Sequence, residues 1–308
     1  MKIGIIGLGR MGAAIAQRLI AAGHQVYGFD PQETAGHHAA DIGVEVVDSV
    51  QAIAHNARII WLMIPAGAII DTVLEQLSYE LCAGDIIIDG GNSHFADSIR
   101  RATTLDNINC TFLDCGTSGG IHGIENGFCL MVGGNKNTYE KLMSLWQAIA
   151  TPSGFAHVGP SGAGHYVKMV HNGIEYALMQ AYAEGFHVLH DSMFGTNALD
   201  LAQISELWNH GAVIRSFLLE LTSTIFNHDQ TLKNISGSVA ESGMGAWTVQ
   251  EAHKQHIPVP MIELALKTRD WSRTSGGNYT TKIIALLRQQ FGGHAVATLK
   301  DTDTHENN

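Results

Sequence analysis

The sequence predicts an α/β chain in two parts: an N-terminal, doubly wound sheet followed by an all-α C-terminal region. Three observations carry this. Up to residue 160, short apolar runs ending in Gly, Pro or Asp alternate with helical patterns, the signature of βαβ units and a parallel sheet. Those runs are continuously apolar, as in strands covered on both faces. Beyond residue 160 the strand-like runs stop and long helical periodicities take over. The expected domains are therefore 1–160 and 161–308.

Taken in order, KIGIIGLG starts as a strand and breaks at glycine, and MGAAIAQRLIAAG is a helix stopped by Gly23. HQVYGFD is a second strand ending in Asp30. RIIWLMIP (58–65) and DIIIDGG (85–91) are further strands, with helical patterns near 67–82 and 94–104. CTFLDC, CLMVGG and FAHVG extend the sheet. In the second region the spacing predicts helices over 161–190, 199–227, 231–255, 260–274 and 280–291, then a frayed polar tail, KDTDTHENN.

Composition narrows the function. The chain has 308 residues, 45% hydrophobic and 15% charged, enough to bury a substantial core. Its net charge of -11 argues against nucleic acid as a partner, because phosphate backbones need a basic surface. No apolar run approaches the roughly 20 residues that span a bilayer, and no secretory signal precedes the first strand, so a cytoplasmic location is expected. Cys82, Cys110, Cys115 and Cys129 contain no CxxC pair and are expected to be reduced thiols. The pairs His187/His190 and His253/His256 lack partners at metal-ligand spacing, so no metal is expected.

Gly7, Leu8, Gly9, Arg10, Met11 and Gly12 form a GxGxxG loop between a strand and a helix. In that context the pattern is a Rossmann-type nucleotide loop. Gly7 permits the tight turn, Gly9 lets a pyrophosphate approach the backbone, and Gly12 lets helix and strand pack closely. The helix N-terminus offers N–H groups and a positive dipole end to the anion. Asp30 lies at the end of the second strand, followed by Pro31, Gln32 and Glu33 rather than arginine. A carboxylate there accepts from ribose hydroxyls and repels a 2′-phosphate, so the expected cofactor is NAD. Met63, in the RIIWLMIP strand, is expected to belong to the same site.

The stretch GHYVKMVHNGIEYALMQ (164–180) has the apolar spacing of a core helix but carries Lys168, His171, Asn172 and Glu175. At about 100° per residue, Asn172 falls about 40° from Lys168 on one side, with Tyr176 at about 80°. Glu175 and His171 fall about 20° and 60° on the other. Val170, Ile174, Ala177 and Leu178 lie opposite, on the side expected to pack. A solvated Lys–Glu stripe is the commoner origin of such a pattern. His, Asn and Tyr are not its usual members, and a cleft is expected just after a nucleotide-binding domain.

GAGHYVKMVHNGIEY resembles the catalytic helix of the 6-phosphogluconate dehydrogenases. Gly162, Gly164, Lys168 and Asn172 match the core shared with the wider β-hydroxyacid dehydrogenases; His171, Glu175 and Tyr176 match the narrower signature. GLGRMG, DIIIDGGNSH, GTSGG and LRQQFGGH resemble other segments of that family, and the likeness is closest to its short, NAD-preferring form. The resemblance implies oxidation of 6-phosphogluconate at C3, loss of C1 as CO2, and formation of ribulose 5-phosphate, a step of pentose phosphate and gluconate metabolism.

Roles follow by the same resemblance. Lys168 takes the 3-hydroxyl proton, which requires a lowered pKa, and later returns a proton to that oxygen. Glu175 protonates the enediol, which requires a raised pKa. Asn92 meets substrate and nicotinamide. Ser118, Gly119, Gly120, His171, Asn172 and Tyr176 bind substrate. Arg269, Arg288 and His294 hold its phosphate, the last two from a neighbouring subunit of a homodimer or homotetramer. The sequence departs from the family where Ser242 replaces a lysine of the long form, where Ala246 precedes Trp247, and at His122. Two other readings use the same residues less fully. One is a 3-hydroxyisobutyrate-type dehydrogenase that releases no CO2; the other is a nucleotide-binding regulator without turnover.

Overall fold

The computed structural model describes residues 1–298. The tail KDTDTHENN lies outside the described residues. The chain divides into two compact units, Met1–Lys168 and Met169–Asn308.

The first unit holds an eight-stranded sheet. Its strands are β1 (Lys2–Ile6), β2 (Gln25–Phe29), β3 (Glu45–Val46), β4 (Ile59–Leu62), β5 (Ile86–Asp89), β6 (Thr111–Ser118), β7 (Phe128–Gly133) and β8 (Ala150–Gly159). Their order is β3-β2-β1-β4-β5-β6-β7-β8. Helices α1 (Arg10–Ala21), α2 (Glu33–Asp41), α3 (Val50–Asn56), α4 (Ala68–Ser78), α5 (Phe95–Asp106), α6 (Gly123–Asn126), α7 (Lys136–Lys141) and α8 (Met143–Ile149) lie between them. Chain order reverses between β1 and β4, the switch point at which doubly wound sheets bind ligands.

Side chains alternate between two cores. Ile3, Ile5, Trp61 and Ile88 enter one cluster; Ile6, Ile60, Leu62 and Ile87 enter another. Both faces are thus covered, which is why the strands read as unbroken apolar runs. β3 escaped the sequence reading because it has two residues, both exposed. The expectation of a parallel sheet is corrected at one pair. β6 and β7 are antiparallel, because only the short segment 119–127 joins them and a parallel return needs a longer crossover.

Helix α9 (Ala163–His190) starts in the first unit and continues into the second. The second unit adds α10 (Leu201–Asn209), α11 (Phe217–His228), α12 (Met244–Lys254), α13 (Pro260–Ser275) and α14 (Tyr279–Gly292). The helix expected over 199–227 is two. Gly211 adopts φ 98°, and Ser216 caps the restart by accepting from Leu219 N–H at 3.1 Å. The helix expected from 231 begins only at Met244, after Gly243 at φ 88°. Upstream, Gly237 sits so close to Gly276 that a Cβ would lie 2.7 Å from its carbonyl oxygen, a contact an irregular glycine chain makes and a helix cannot.

The packed face of α9 also differs from expectation. Met169, Tyr176, Met179, Ala183 and Phe186 are buried, spaced by sevens, threes and fours as one helical stripe requires. Ile174 and Leu178, expected to pack, are 53% and 46% exposed. Apolar residues ring this helix, so spacing alone does not say which stripe meets the core.

Candidate active site

The nucleotide loop leaves β1 at Gly7, whose φ of 96° suits glycine. A Cβ there would lie 2.3 Å from the Met63 carbonyl oxygen, so Met63 walls the turn with its backbone. A Cβ on Gly12 would lie 1.9 Å from the Gly7 carbonyl, closing helix against strand. A Cβ on Gly9 would have nothing within 4 Å. Gly9 is the N-cap of α1 and supplies no side-chain cap. The opening at Gly9 and the helix N-terminus beneath it fit a dinucleotide pyrophosphate. A cavity of about 440 Å3 lies beside it, bounded in part by Arg10, Met11, Thr34, His38 and Gly120.

Asp30 also holds the loop, which the motif did not reveal. Its carboxylate accepts from Leu8 N–H at 2.7 Å and from Gln32 N–H at 2.9 Å. It therefore braces the loop from β2, and each oxygen keeps lone-pair capacity for a ribose hydroxyl.

Asn92 is exposed on the loop after β5, between buried Gly91 and Ser93. That loop is held from below. Asp89 accepts from Gly91 N–H at 3.1 Å and from the Ser93 hydroxyl at 2.6 Å, with Arg101 3.7 Å away. Arg101 in turn donates to both oxygens of Asp71, whose carboxyl it holds down at a pKa of about 2. None of Asp71, Asp89 and Arg101 emerged from the motifs, although a buried Asp closing the run IIID was a signal. Ser118, Gly119 and Gly120 are half-buried where β6 ends.

Lys168 is 6% exposed. Its stem rests on Gly116 of β6, where a Cβ would come 2.4 Å from Lys168 Cβ. The start of α9 lies on bare backbone, since a Cβ on Gly164 would meet the carbonyl oxygens of Asp114 and Met131 at 2.4 Å. This explains the glycines of GAGHYVK. Asp114, also absent from the sequence reading, accepts from Gly162 N–H at 2.7 Å and His165 N–H at 2.9 Å.

In the second unit, His171 Nδ1 meets the Asn172 side-chain oxygen at 3.0 Å and lies 3.8 Å from Glu175. Tyr176 is buried, with its hydroxyl 3.1 Å from Ser242 Oγ and donating to Glu241 at 3.4 Å. Arg269 stacks on the Tyr176 ring, with its guanidinium carbon 3.3 Å from the centroid. Arg269 is 1% exposed, and neither Nη1 nor Nη2 has a hydrogen-bond partner. Burial lowers its pKa to about 10, with Arg288 adding to the drop and Tyr176, Glu175 and Glu241 opposing it. Burial lowers that of Arg288 too.

Two buried guanidiniums within electrostatic reach of each other, one with its terminal nitrogens unpaired, call for an anion. Arg288 acts on Arg269 electrostatically in the same chain. α14 packs in the same apolar cluster as α9, through Ile283 and Leu287, and that carries Arg288 inward. His294 is exposed just beyond α14, 6.4 Å from the Phe291 ring centroid. Glu241 was missed because its role depends on a loop that the periodicity read as helix. Among the described residues no group of three or more His, Cys, Asp or Glu could hold a metal ion, and no helix is long and apolar enough to cross a membrane.

Residues 2–159 match the family model of the NAD binding domain of 6-phosphogluconate dehydrogenase, and residues 164–304 match that of its C-terminal domain. The chain is 46% identical over 306 residues to the NAD(+)-dependent, decarboxylating 6-phosphogluconate dehydrogenase of Haloferax volcanii, covering 98% of this chain and 100% of that one. The structure is similar to Plasmodium falciparum 6-phosphogluconate dehydrogenase, with a TM-score of 0.80 and 29% identity, covering 89% of this chain and 62% of that longer one. Mycobacterium tuberculosis 3-hydroxyisobutyrate dehydrogenase shares the fold, with a TM-score of 0.74 and 22% identity over 92% of this chain and 98% of that chain.

Proposed function

Because the chain belongs to the 6-phosphogluconate dehydrogenase family, we propose that it converts 6-phosphogluconate and NAD into ribulose 5-phosphate, CO2 and NADH. The observation that carries the phosphorylated substrate is Arg269, buried with both terminal nitrogens unpaired beside Arg288. A phosphate would supply the missing acceptors, with Tyr176 and His294 completing its shell.

Gly7, Leu8, Gly9, Arg10, Met11, Gly12, Asp30, Met63 and Asn92 would hold NAD, which would supply the acceptor for the C3 hydride. The protein's work is proton transfer. Lys168 takes the proton of the 3-hydroxyl as the hydride leaves, which it can do only as a neutral amine. The C1–C2 bond of the resulting β-keto acid then breaks, its electron pair flows to the C3 oxygen, and Lys168 returns the proton there. Glu175 next protonates the carbon that lost CO2, while Lys168 withdraws the enediol proton. A proton passing from Lys168 to Glu175 through solvent restores both. Ser118, with the backbone of Gly119 and Gly120, holds the carboxylate, and His171 and Asn172 hold the hydroxyls.

The test is to incubate the protein with 6-phosphogluconate and NAD and to measure NADH and CO2 together. Equal yields are expected; NADH without CO2 would point to a 3-hydroxyisobutyrate-type reaction instead. Glu175→Gln cannot donate a proton and is expected to lower overall turnover by about 10^2-fold or more, leaving the initial NADH burst. Full overall turnover in that variant would remove Glu175 from the role of acid.

The working form is proposed to be a homodimer or larger. Ile174 and Leu178 on α9 are exposed on one stripe, and Met261, Leu264 and Trp271 on α13 are 62%, 52% and 46% exposed on another. Stripes of this kind suit a second copy of the chain. Light scattering on Ile174→Glu/Leu178→Glu should give a smaller particle than the parent; an unchanged mass would exclude α9 from the interface. The four cysteines are free, in keeping with a reducing, cytoplasmic location.

A further inference from the structure

We infer that Asp114 is a positioning residue for Lys168: its buried carboxylate pins the first turn of α9 to strand β6, and Gly116 on the same strand receives the lysine stem. The inference rests on the proposed role of Lys168 as the proton acceptor.

Asp114 is 0% exposed. A buried carboxylate is costly, and Ser, Thr or Asn would cap a helix without a charge. Asp114 does more than cap. Its two oxygens take separate partners, Gly162 N–H at 2.7 Å and His165 N–H at 2.9 Å. Two bonds from one rigid planar group to amides three residues apart set both the rotation of the helix and its height on the sheet. His165 is one turn before Lys168.

The strand makes this useful. Side chains at 114, 116 and 118 share one face of β6, at about 6.6 Å per pair of residues. Asp114 anchors the helix, Gly116 meets Lys168, and Ser118 ends the row. A Cβ on Gly116 would be 2.4 Å from Lys168 Cβ and 3.2 Å from Cγ, so the lysine cannot take this place unless position 116 is glycine. Gly133, opposite Asp114 on β7, keeps the carboxylate in place, since a Cβ there would be 2.6 Å from its Oδ1.

A second clamp comes from α5. His165 Nδ1 is 2.7 Å from the Ser98 hydroxyl, and Gly162, at φ 91°, lies so close that a Cβ would be 2.7 Å from Ile99 Cγ1. α5 follows directly on the loop bearing Asn92. The first turn of α9 is thus located against two elements that also carry substrate-side candidates.

Asp114→Asn keeps one acceptor oxygen and loses the other; Gly116→Ala leaves both bonds and pushes on Lys168 directly. Both variants are compared with the parent, using 6-phosphogluconate carrying hydrogen or deuterium at C3. In each, kcat is expected to fall about 10- to 100-fold, the cost of misplacing a reacting group. The deuterium effect on kcat should grow, because hydride transfer becomes the slow step, while the dissociation constant for NAD changes less than about twofold. A role in stability alone would lower the melting temperature and leave the isotope effect per active site unchanged.

A folded Asp114→Asn with parental kcat and isotope effect overturns the inference. If that variant does not fold, Asp114→Glu, which keeps both oxygens but displaces them by one methylene, decides by the same readings. Amide exchange over residues 162–170 separates this inference from the reading beneath it: faster exchange in Asp114→Asn supports the anchor, and unchanged exchange overturns it. A parent with no turnover overturns the reading of Lys168 and with it the catalytic sense of the anchor.

Discussion

Lys168→Ala is expected to abolish oxidation, with kcat falling by about 10^3-fold or more, the contribution of a positioned general base. No neighbour on the polar face of α9 can replace it. His171 is already engaged with Asn172 and Glu175, and Asn172 has no basic nitrogen. The binding of NAD should be unchanged, because the loop from Gly7 to Gly12 is braced by Asp30 and Met63 and not by the lysine. Stopped-flow NADH formation and a fluorescence titration of NADH read the two properties separately. Retention of more than a tenth of the parental rate would show that another group takes the hydroxyl proton.

Arg269→Met is expected to move stability and function in opposite directions. Arg269 is buried with two donors unpaired, and stacking on Tyr176 offsets only part of the desolvation, about 2 kcal/mol for a desolvated pair. Methionine fills similar volume without a buried charge, which typically stabilises by about 1–4 kcal/mol. The melting temperature should therefore rise by several degrees, at about 2–4 °C per kcal/mol for a chain of this size. The KM for 6-phosphogluconate should rise about 100-fold, the loss of roughly 3 kcal/mol of charge-assisted hydrogen bonding. Thermal unfolding and steady-state kinetics check the pair. A variant that melts lower and keeps its KM would mean that Arg269 is a structural cation and that the phosphate lies elsewhere.

Lys168 stood out because a lysine on a helix with core spacing needs a reason. Arg269 stood out only through resemblance, since an arginine in LALKTRDW looks like a solvated helix charge until its burial is known. Its partner Tyr176, which the spacing puts on the polar face, is a buried platform for the guanidinium. Glu241 and Ser242, which contact that tyrosine, lie in a stretch whose periodicity mimics a helix and whose glycines prevent one.

What the sequence by itself determined is local. The glycine spacing at 7, 9 and 12, the acid at 30, the continuous strands and the polar stripe from 168 to 176 all follow from backbone geometry repeated along the chain, and each is visible in a window of a few residues. What only the tertiary structure decided is which surfaces meet. The stripe of α9 that packs, the antiparallel turn from β6 to β7, the pinning of α9 by Asp114, and the approach of Arg288 to Arg269 join residues that are 19 or more apart or depend on a neighbouring element. Burial decides them, and burial is a property of the partner surface as much as of the residue. Asp114 shows the difference most plainly. In sequence it is one acid in a strand; in the fold it accepts two N–H groups at the start of α9.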